Sequence, residues 1–237
     1  MIRRNRMDKR LKEIINKIED KSLKNKILKL IEDLSIEIQG KKYKGVALTE
    51  SPASISHHHN YTGGLIEHIV ATSKISLNLC EVVEKVYNGK VNKDVVLCGA
   101  ILHDLFKPLT YIRKENGSFK ISPLAEQIDH LTLIATELIR REFPLEIIHV
   151  VLASHGKEFG PIGPHTIEAL ICHLSDLIDS RLHEEILKAA KFIVKEVTGQ
   201  EIKSISSREA FKIIQEKSSK GWENIAKEIN KILKEKQ

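Results

Sequence analysis

The chain is 237 residues long and 41% hydrophobic, enough for one large core with terminal additions. It is 30% charged and has 6 prolines, 12 glycines and no long polar tract, which excludes wholesale disorder. No apolar run reaches the roughly 18 residues of a membrane span. The net charge of +6 is uneven: residues 1–47 hold 14 Lys/Arg against 7 Asp/Glu, residues 185–237 hold 12 against 8, and residues 48–184 hold 12 against 17. All 11 histidines lie between His57 and His183. An acidic, histidine-rich centre suited to cations is thus flanked by basic ends that either attract polyanions or keep amphipathic helices solvated. The start, MIRRNRMDKR, is not followed by an apolar stretch of the secretory kind, so the cytoplasm is the expected compartment. Cys80, Cys98 and Cys172 stand singly among apolar residues, as reduced core thiols do.

From Leu11 to Ile38 apolar residues recur every three or four positions, which predicts two helices, or one interrupted near 20–22, with Ser22 as an N-cap. The stretch KKYKGVALTESPASISHHHNYTGG loses that period and reads as a long loop entering the centre. LIEHIVATSKISLNLCEVVEKV resumes the helical period and stops near Asn88 and Gly89. Asn92 is the expected cap of a helix running to Pro108, with His103 and Asp104 in its last turn. Residues 109–121 alternate about Asn116-Gly117 as a small hairpin, the only sheet expected. Ser122 or Pro123 introduces a helix carrying Ile128, Leu131, Ile134, Leu138 and Ile139 along one face. Pro144 suits the first turn of LEIIHVVLAS, and GKEFGPIGP is too rich in Gly and Pro to stay helical. A long helix from Thr166, bent or divided near Ser180, is followed by a short one from Ser207 and a last one in GWENIAKEINKILKEK. The expected class is all-α, with a basic helical extension over 1–47, a core over 48–184, and a helical C-terminal extension over 185–237 packing on that core.

Five segments offer metal ligands: His68, the pair His103-Asp104, His130, His155 and Asp176. Mixed imidazole and carboxylate sets suit Mn²⁺, Fe²⁺, Zn²⁺ or Ni²⁺, whereas an all-oxygen site would favour Mg²⁺ or Ca²⁺. Positions far apart in sequence converge readily in a bundle. Adjacent His and Asp point in different directions on an ideal helix, so joint use of His103 and Asp104 requires the helix end to turn. A histidine such as His68 also serves as an ordinary hydrogen-bonded core residue, but an unpartnered Asp176 between Leu174 and Leu177 would be costly. Lys107 either reaches the same cavity and neutralises a phosphate or interacts with the helix end. Gly63-Gly64 and GKEFGPIGP lack the context of a P-loop or dinucleotide fingerprint, so neither a kinase nor a dehydrogenase is indicated.

The order H, HD, H, H, D resembles the HD superfamily of metal-dependent phosphohydrolases. HHNYTGGLIEHI at 58–69, VLCGAILHDLFKP at 96–108 and SHGKEFGPIGPHTIEALICHLSDLIDSRL at 154–182 resemble more closely the catalytic domain of bacterial 3′-to-5′ exoribonucleases, over roughly residues 52–184. The resemblance implies an HD-domain helical bundle with His68, His103, Asp104 and Asp176 around a principal metal. His130 and His155 match the positions of a second metal, with Asp104 bridging. One or two divalent ions follow, with Mn, Fe, Ni, Co, Zn and Mg not distinguished. Where the family commonly has two adjacent histidines this chain has Ser154-His155, and Phe106 replaces the glycine of HDxGK. No OB domain is expected in residues 1–47, which read as helices.

In the chemistry so implied, Asp104 orients a hydroxide between the ions. With a single ion, His130 or His155 contacts phosphate or transfers a proton. His58, His59, Lys107, Lys157 and Arg181 are phosphate-contact candidates; Tyr61, Phe106, Tyr111 and Phe159 are base-stacking candidates. The expected activity is hydrolysis of a phosphoester in a nucleotide or short nucleic acid. The alternatives are a 3′-to-5′ exoribonuclease and a noncatalytic metal-stabilised module that binds RNA or protein. The expected partner is a phosphorylated small molecule or short single-stranded nucleic acid, with no membrane. The apolar stripes of the end helices either pair two copies as a homodimer or cover the core.

Overall fold

A computed structural model describes residues 7–202 and 204–234. Aspartates open the first two helices. Asp8 accepts from the amides of Arg10 and Leu11 ahead of α1 (Lys9–Asn16), and Asp20 from those of Ser22 and Leu23 ahead of α2 (Lys21–Glu32). The second cap is therefore Asp20 rather than Ser22, whose own amide is one of those satisfied. α2 stops at Glu32, short of Ile38, because β1 (Ser35–Ile38) pairs antiparallel with β2 (Lys41–Lys44). Gln39 and Gly40, both at positive φ, form the two-residue turn that strand twist favours. This hairpin corrects the expectation of a single sheet. The expected hairpin is present as β3 (Tyr111–Arg113) and β4 (Phe119–Ile121).

The long loop ends at Gly63, and α3 (Gly64–Lys85) begins. A Cβ at Gly64 would sit 2.1 Å from the His59 carbonyl oxygen, so glycine there lets the histidine loop fold back on the helix start. α4 (Lys93–Leu102) is capped by Asn92 as the sequence predicts. It ends at Leu102, leaving His103 as its C-cap and Asp104 in the turn that leads to a 3₁₀ segment, Lys107–Thr110. α5 (His130–Arg140) starts from Asp129, later than Ser122 or Pro123, because the intervening residues form turns. α6 (Leu145–Leu152) follows Pro144, and α7 (Gly156–Phe159) is one helical turn where the composition predicts none. α8 (Ile167–Thr198) runs unbroken through Ser180. α9 (Ser207–Asn224) opens with a capping box between Ser206 and Glu209 and is broken by a kink at Gly221, at φ 72°, where the sequence predicts its last helix to begin; α10 (Ala226–Lys234) follows.

α3, α4 and α8 pack together at the centre. Gly99 makes this tight: a Cβ there would lie 2.0 Å from Val150 Cγ1 on α6 and 3.2 Å from Cys172 Sγ on α8. The main apolar cluster joins Leu11, Ile15, Ile27 and Leu30 of the first two helices to Leu65, Ile69, Leu97 and Ile101 of the centre. A second cluster ties the latter half of α8 to α9 and α10 through Leu187, Val194, Ile213 and Ile229. The three cysteines are free and buried. Among the described residues no helix is long and apolar enough to cross a membrane.

Candidate metal centre

α3 turns His68 into the bundle, and the end of α4 supplies His103 and Asp104. α5 begins with His130, the α6–α7 junction supplies His155, and α8 supplies Asp176. His68 Nε2 lies 3.2 Å from His103 Nε2, 3.3 Å from Asp104 Oδ2 and 3.2 Å from Asp176 Oδ1. On the other side of Asp104, Oδ1 lies 3.2 Å from His130 Nε2 and 3.6 Å from His155 Nε2, and those two nitrogens are 3.1 Å apart. Ligand atoms about 2.1 Å from one ion are about 3.0–3.4 Å from each other, and most of these separations fall in that range, with His155 Nε2–Asp104 Oδ1 at 3.6 Å and His103 Nε2–Asp176 Oδ1 at 3.7 Å slightly wider. Two sets can therefore each hold an ion, His68 with His103 and Asp176, and Asp104 with His130 and His155. Asp104 joins them because its two oxygens face opposite sets.

Hydrogen bonds on the far sides of the rings aim these nitrogens. His68 Nδ1 lies 2.7 Å from Asp179 Oδ2, His103 Nδ1 3.1 Å from the Ala100 carbonyl, and His155 Nδ1 2.9 Å from Asp176 Oδ2. With Nδ1–H donating outward in each ring, three Nε2 lone pairs converge on buried carboxylate oxygens. Neither oxygen of Asp104 receives a well-formed hydrogen bond, although Lys107 Nζ lies 2.6 Å from Oδ2. Acceptors gathered in this way require positive charge among them. Burial lowers the His103 imidazole to about 4, which keeps it a neutral ligand. Burial also opposes protonation of His155, but Asp104 and Asp176 override it and raise this imidazole to about 9. His68 is raised well above its ordinary value by Asp104, Asp176 and Asp179, again against burial. Burial favours the neutral form of Asp104 and Asp176; Lys107 with the histidines, and His155 with His68, hold the two carboxyls well below the ordinary range. The donor set thus fits divalent cations.

A cavity of about 590 Å³ opens on this centre, lined by His58, His155, Lys157, Phe159, Asp176 and Ser180 among others. Lys157 and the exposed Phe159 stand at its rim, and His58 presents a buried Nδ1 with no protein partner. Other candidates lie elsewhere. His59 is buried with its ring nitrogens on Asp179 and the Tyr61 hydroxyl, which leaves no donor for phosphate. Arg181 projects into solvent beside Glu184 and does not line the cavity. Phe106 is fully enclosed in the main core, so it neither narrows the cavity mouth nor offers a face to a base. Tyr111 is buried with its hydroxyl donating to the Ala53 carbonyl. The Tyr61 hydroxyl donates to Glu67 and lies 2.6 Å from Ser207 Oγ, so it ties α3 to α9 instead. Ser154 donates to the Val151 carbonyl and is no ligand.

Sequence reasoning passed over Asp179 and His183. Asp179 takes both His68 and His59, and His183 takes the His59 amide and lies 2.8 Å from Ser207 Oγ. Both fall on the helical face of Asp176, at three and seven residues beyond it, a spacing that was available to find them.

The HD domain family matches residues 65–181. The chain is 37% identical over 205 residues to the dihydroneopterin 2′,3′-cyclic phosphate phosphodiesterase of Methanocaldococcus jannaschii, covering 86% of this chain and 79% of that protein. It is also 34% identical over 151 residues to the 3′-5′ exoribonuclease YhaM of Oceanobacillus iheyensis, and 37% over 153 residues to that of Listeria monocytogenes. These matches cover 60% and 59% of this chain and 46% of each relative, so the chain spans about half the length of the exoribonucleases. No solved structure matches it. With His/Asp clusters suited to one or two divalent ions at its centre, the chain belongs to the HD-domain family and is a metal-dependent phosphohydrolase acting on a phosphoester.

Proposed function

We propose that the substrate is a small nucleotide-like molecule carrying a cyclic phosphodiester, which this enzyme opens to a monoester. The observation that carries this reading is the cavity of about 590 Å³ beside the metal clusters, a volume suited to a mononucleotide-sized ligand. The M. jannaschii phosphodiesterase supports it, because a 205-residue match must extend beyond the 48–184 core into the flanking helices. We assign the principal ion to His68, His103, Asp104 and Asp176, and a second to Asp104, His130 and His155. Divalent cations bound there make water nucleophilic near neutral pH and offset charge on a phosphoryl oxygen.

The chain's own groups do the rest. Asp179 and the Ala100 carbonyl hold His68 and His103 in the tautomer that turns Nε2 inward. Lys107 balances the charge of Asp104, with Nζ 2.6 Å from its Oδ2, from a position outside the cavity lining. His58 and Lys157 donate to phosphoryl oxygens from the cavity wall, and Phe159 presents a ring face to the base. In the same reading residues 48–184 form the catalytic unit, the two flanking helical regions brace it, and the enzyme works in the cytoplasm. A homodimer through the first two helices finds no support, since Leu11, Ile14, Ile15, Leu23, Ile27 and Leu30 are buried against the core.

The test is elemental analysis with a metal-supplemented screen of 2′,3′-cyclic nucleotides, dihydroneopterin 2′,3′-cyclic phosphate, linear nucleotides and short RNA, run beside Asp104→Ala. Ring opening that falls at least about 100-fold in the variant is expected. Release of mononucleotides from short single strands, with cyclic substrates untouched, would favour the exoribonuclease reading, which rests on the YhaM similarity and the basic ends. Retained activity in the variant would refute the bridging role of Asp104.

A further inference from the structure

The solvent face of α8 changes character along one unbroken helix. From Ile167 to Leu182 the side chains exposed to solvent are Ile167, Leu170, Leu174, Leu177, Ile178 and Leu182, between 38% and 57% open, with Arg181 as the one charged member. Beyond that point the open face carries Glu185, Lys188, Lys195 and Glu196, with Phe192 as its one large apolar member, so the run of consecutive apolar side chains ends at Leu182. The helices packed on α8 among the described residues, α3, α4, α6, α9 and α10, lie against its other sides. Four turns of Ile and Leu facing water leave on the order of 400 Å² of apolar surface, at the level that marks an interaction site on a monomer. Phe159, 84% exposed, extends it, since Phe159 and Leu177 line the same cavity.

We propose that this face is covered by a second copy of the chain, with the two α8 helices packed antiparallel about a two-fold axis. The row Leu170, Leu174, Ile178, Leu182 runs at four-residue spacing, the ridge by which helices commonly interlock. It also reads alike from both ends: a two-fold axis at the level of residue 176 sets Leu170 against Leu182 and Leu174 against Ile178, so the surface is its own complement. Stripe and Phe159 together approach the ~800 Å² per partner of a standard interface once a polar rim is added. Because Leu177 belongs to both stripe and cavity lining, the second copy walls one side of the cavity mouth.

Light scattering on the full chain after gel filtration should give at least twice the 26.9 kDa chain mass. Leu174→Lys and Ile178→Lys, changes at positions already facing water, should each give a monomer with unchanged far-UV circular dichroism. Ile139→Lys, on an exposed position outside the face, should leave the assembly intact. For the register, Leu170→Cys and Leu182→Cys proteins mixed under mild oxidation should cross-link to each other in preference to themselves. A monomeric wild-type protein would overturn the proposal and leave the face to another partner. So would an assembly indifferent to both lysine variants, and cross-linking of like with like would overturn the antiparallel arrangement.

Discussion

Asp179 accepts from His68 on one side and His59 on the other, and burial, which would make it neutral, is overcome by those two donors, so it stays charged. Asp179→Asn keeps the shape but offers His68 a mixed donor and acceptor, which loosens the ring that faces the ion. Metal affinity should fall about 10–100-fold, read as metal retained after dialysis against a graded chelator, with the fold intact by circular dichroism. Unchanged retention would make Asp179 a structural residue only. At this scale the candidate ligands were legible, because His and Asp in apolar stretches are chemically conspicuous and their order matched a known pattern. Phe106, Tyr61 and Tyr111 were not, because an aromatic ring suits a core as well as a cavity and only packing distinguishes the two.

α4 shows how an element positions chemistry. It ends at Leu102, and the turn after it swings Asp104 into the centre beside His103, as joint use of the pair required. Its close approach to α6 and α8 depends on Gly99, so Gly99→Ala should lower stability by about 1–3 kcal/mol in chemical denaturation, through overpacking against Val150. α5 carries a second, pH-dependent element. Glu137, buried, accepts from Arg140 at 2.8 and 2.6 Å and from Arg141 at 3.0 Å. Burial would raise its carboxyl, but the two guanidinium groups lower it below its ordinary value. A carboxyl depressed in the folded state stabilises the fold above its unfolded pKa, and that contribution is lost as pH falls through the folded value. Glu137→Gln should therefore cost about 1–2 kcal/mol at pH 7, limited by the solvent around Arg140, and the difference should begin to shrink as pH falls into the ordinary carboxylate range near about 4 and vanish only below the depressed folded value. A difference independent of pH would exclude the ion pair as its source.

Across the whole molecule, the basic first helices and the catalytic centre share one apolar cluster, whereas the C-terminal helices have their own around the latter half of α8. Ile27→Ala should thus destabilise the catalytic core by about 2–5 kcal/mol although it lies outside it, seen as a lowered melting temperature of the transition that releases bound metal. If that transition is unmoved, the first helices fold independently. Helical periodicity, caps such as Asn92, and the ordered His and Asp residues were determined by the sequence alone, because each depends on neighbours within a few positions. The β1–β2 hairpin, the burial of Phe106, the His68–Asp179 contact and the closing of α1 and α2 over the core were decided only by tertiary structure. Each sets residues tens of positions apart, or a local preference, against the gain from burying apolar surface, and that gain exists only once the chain has packed.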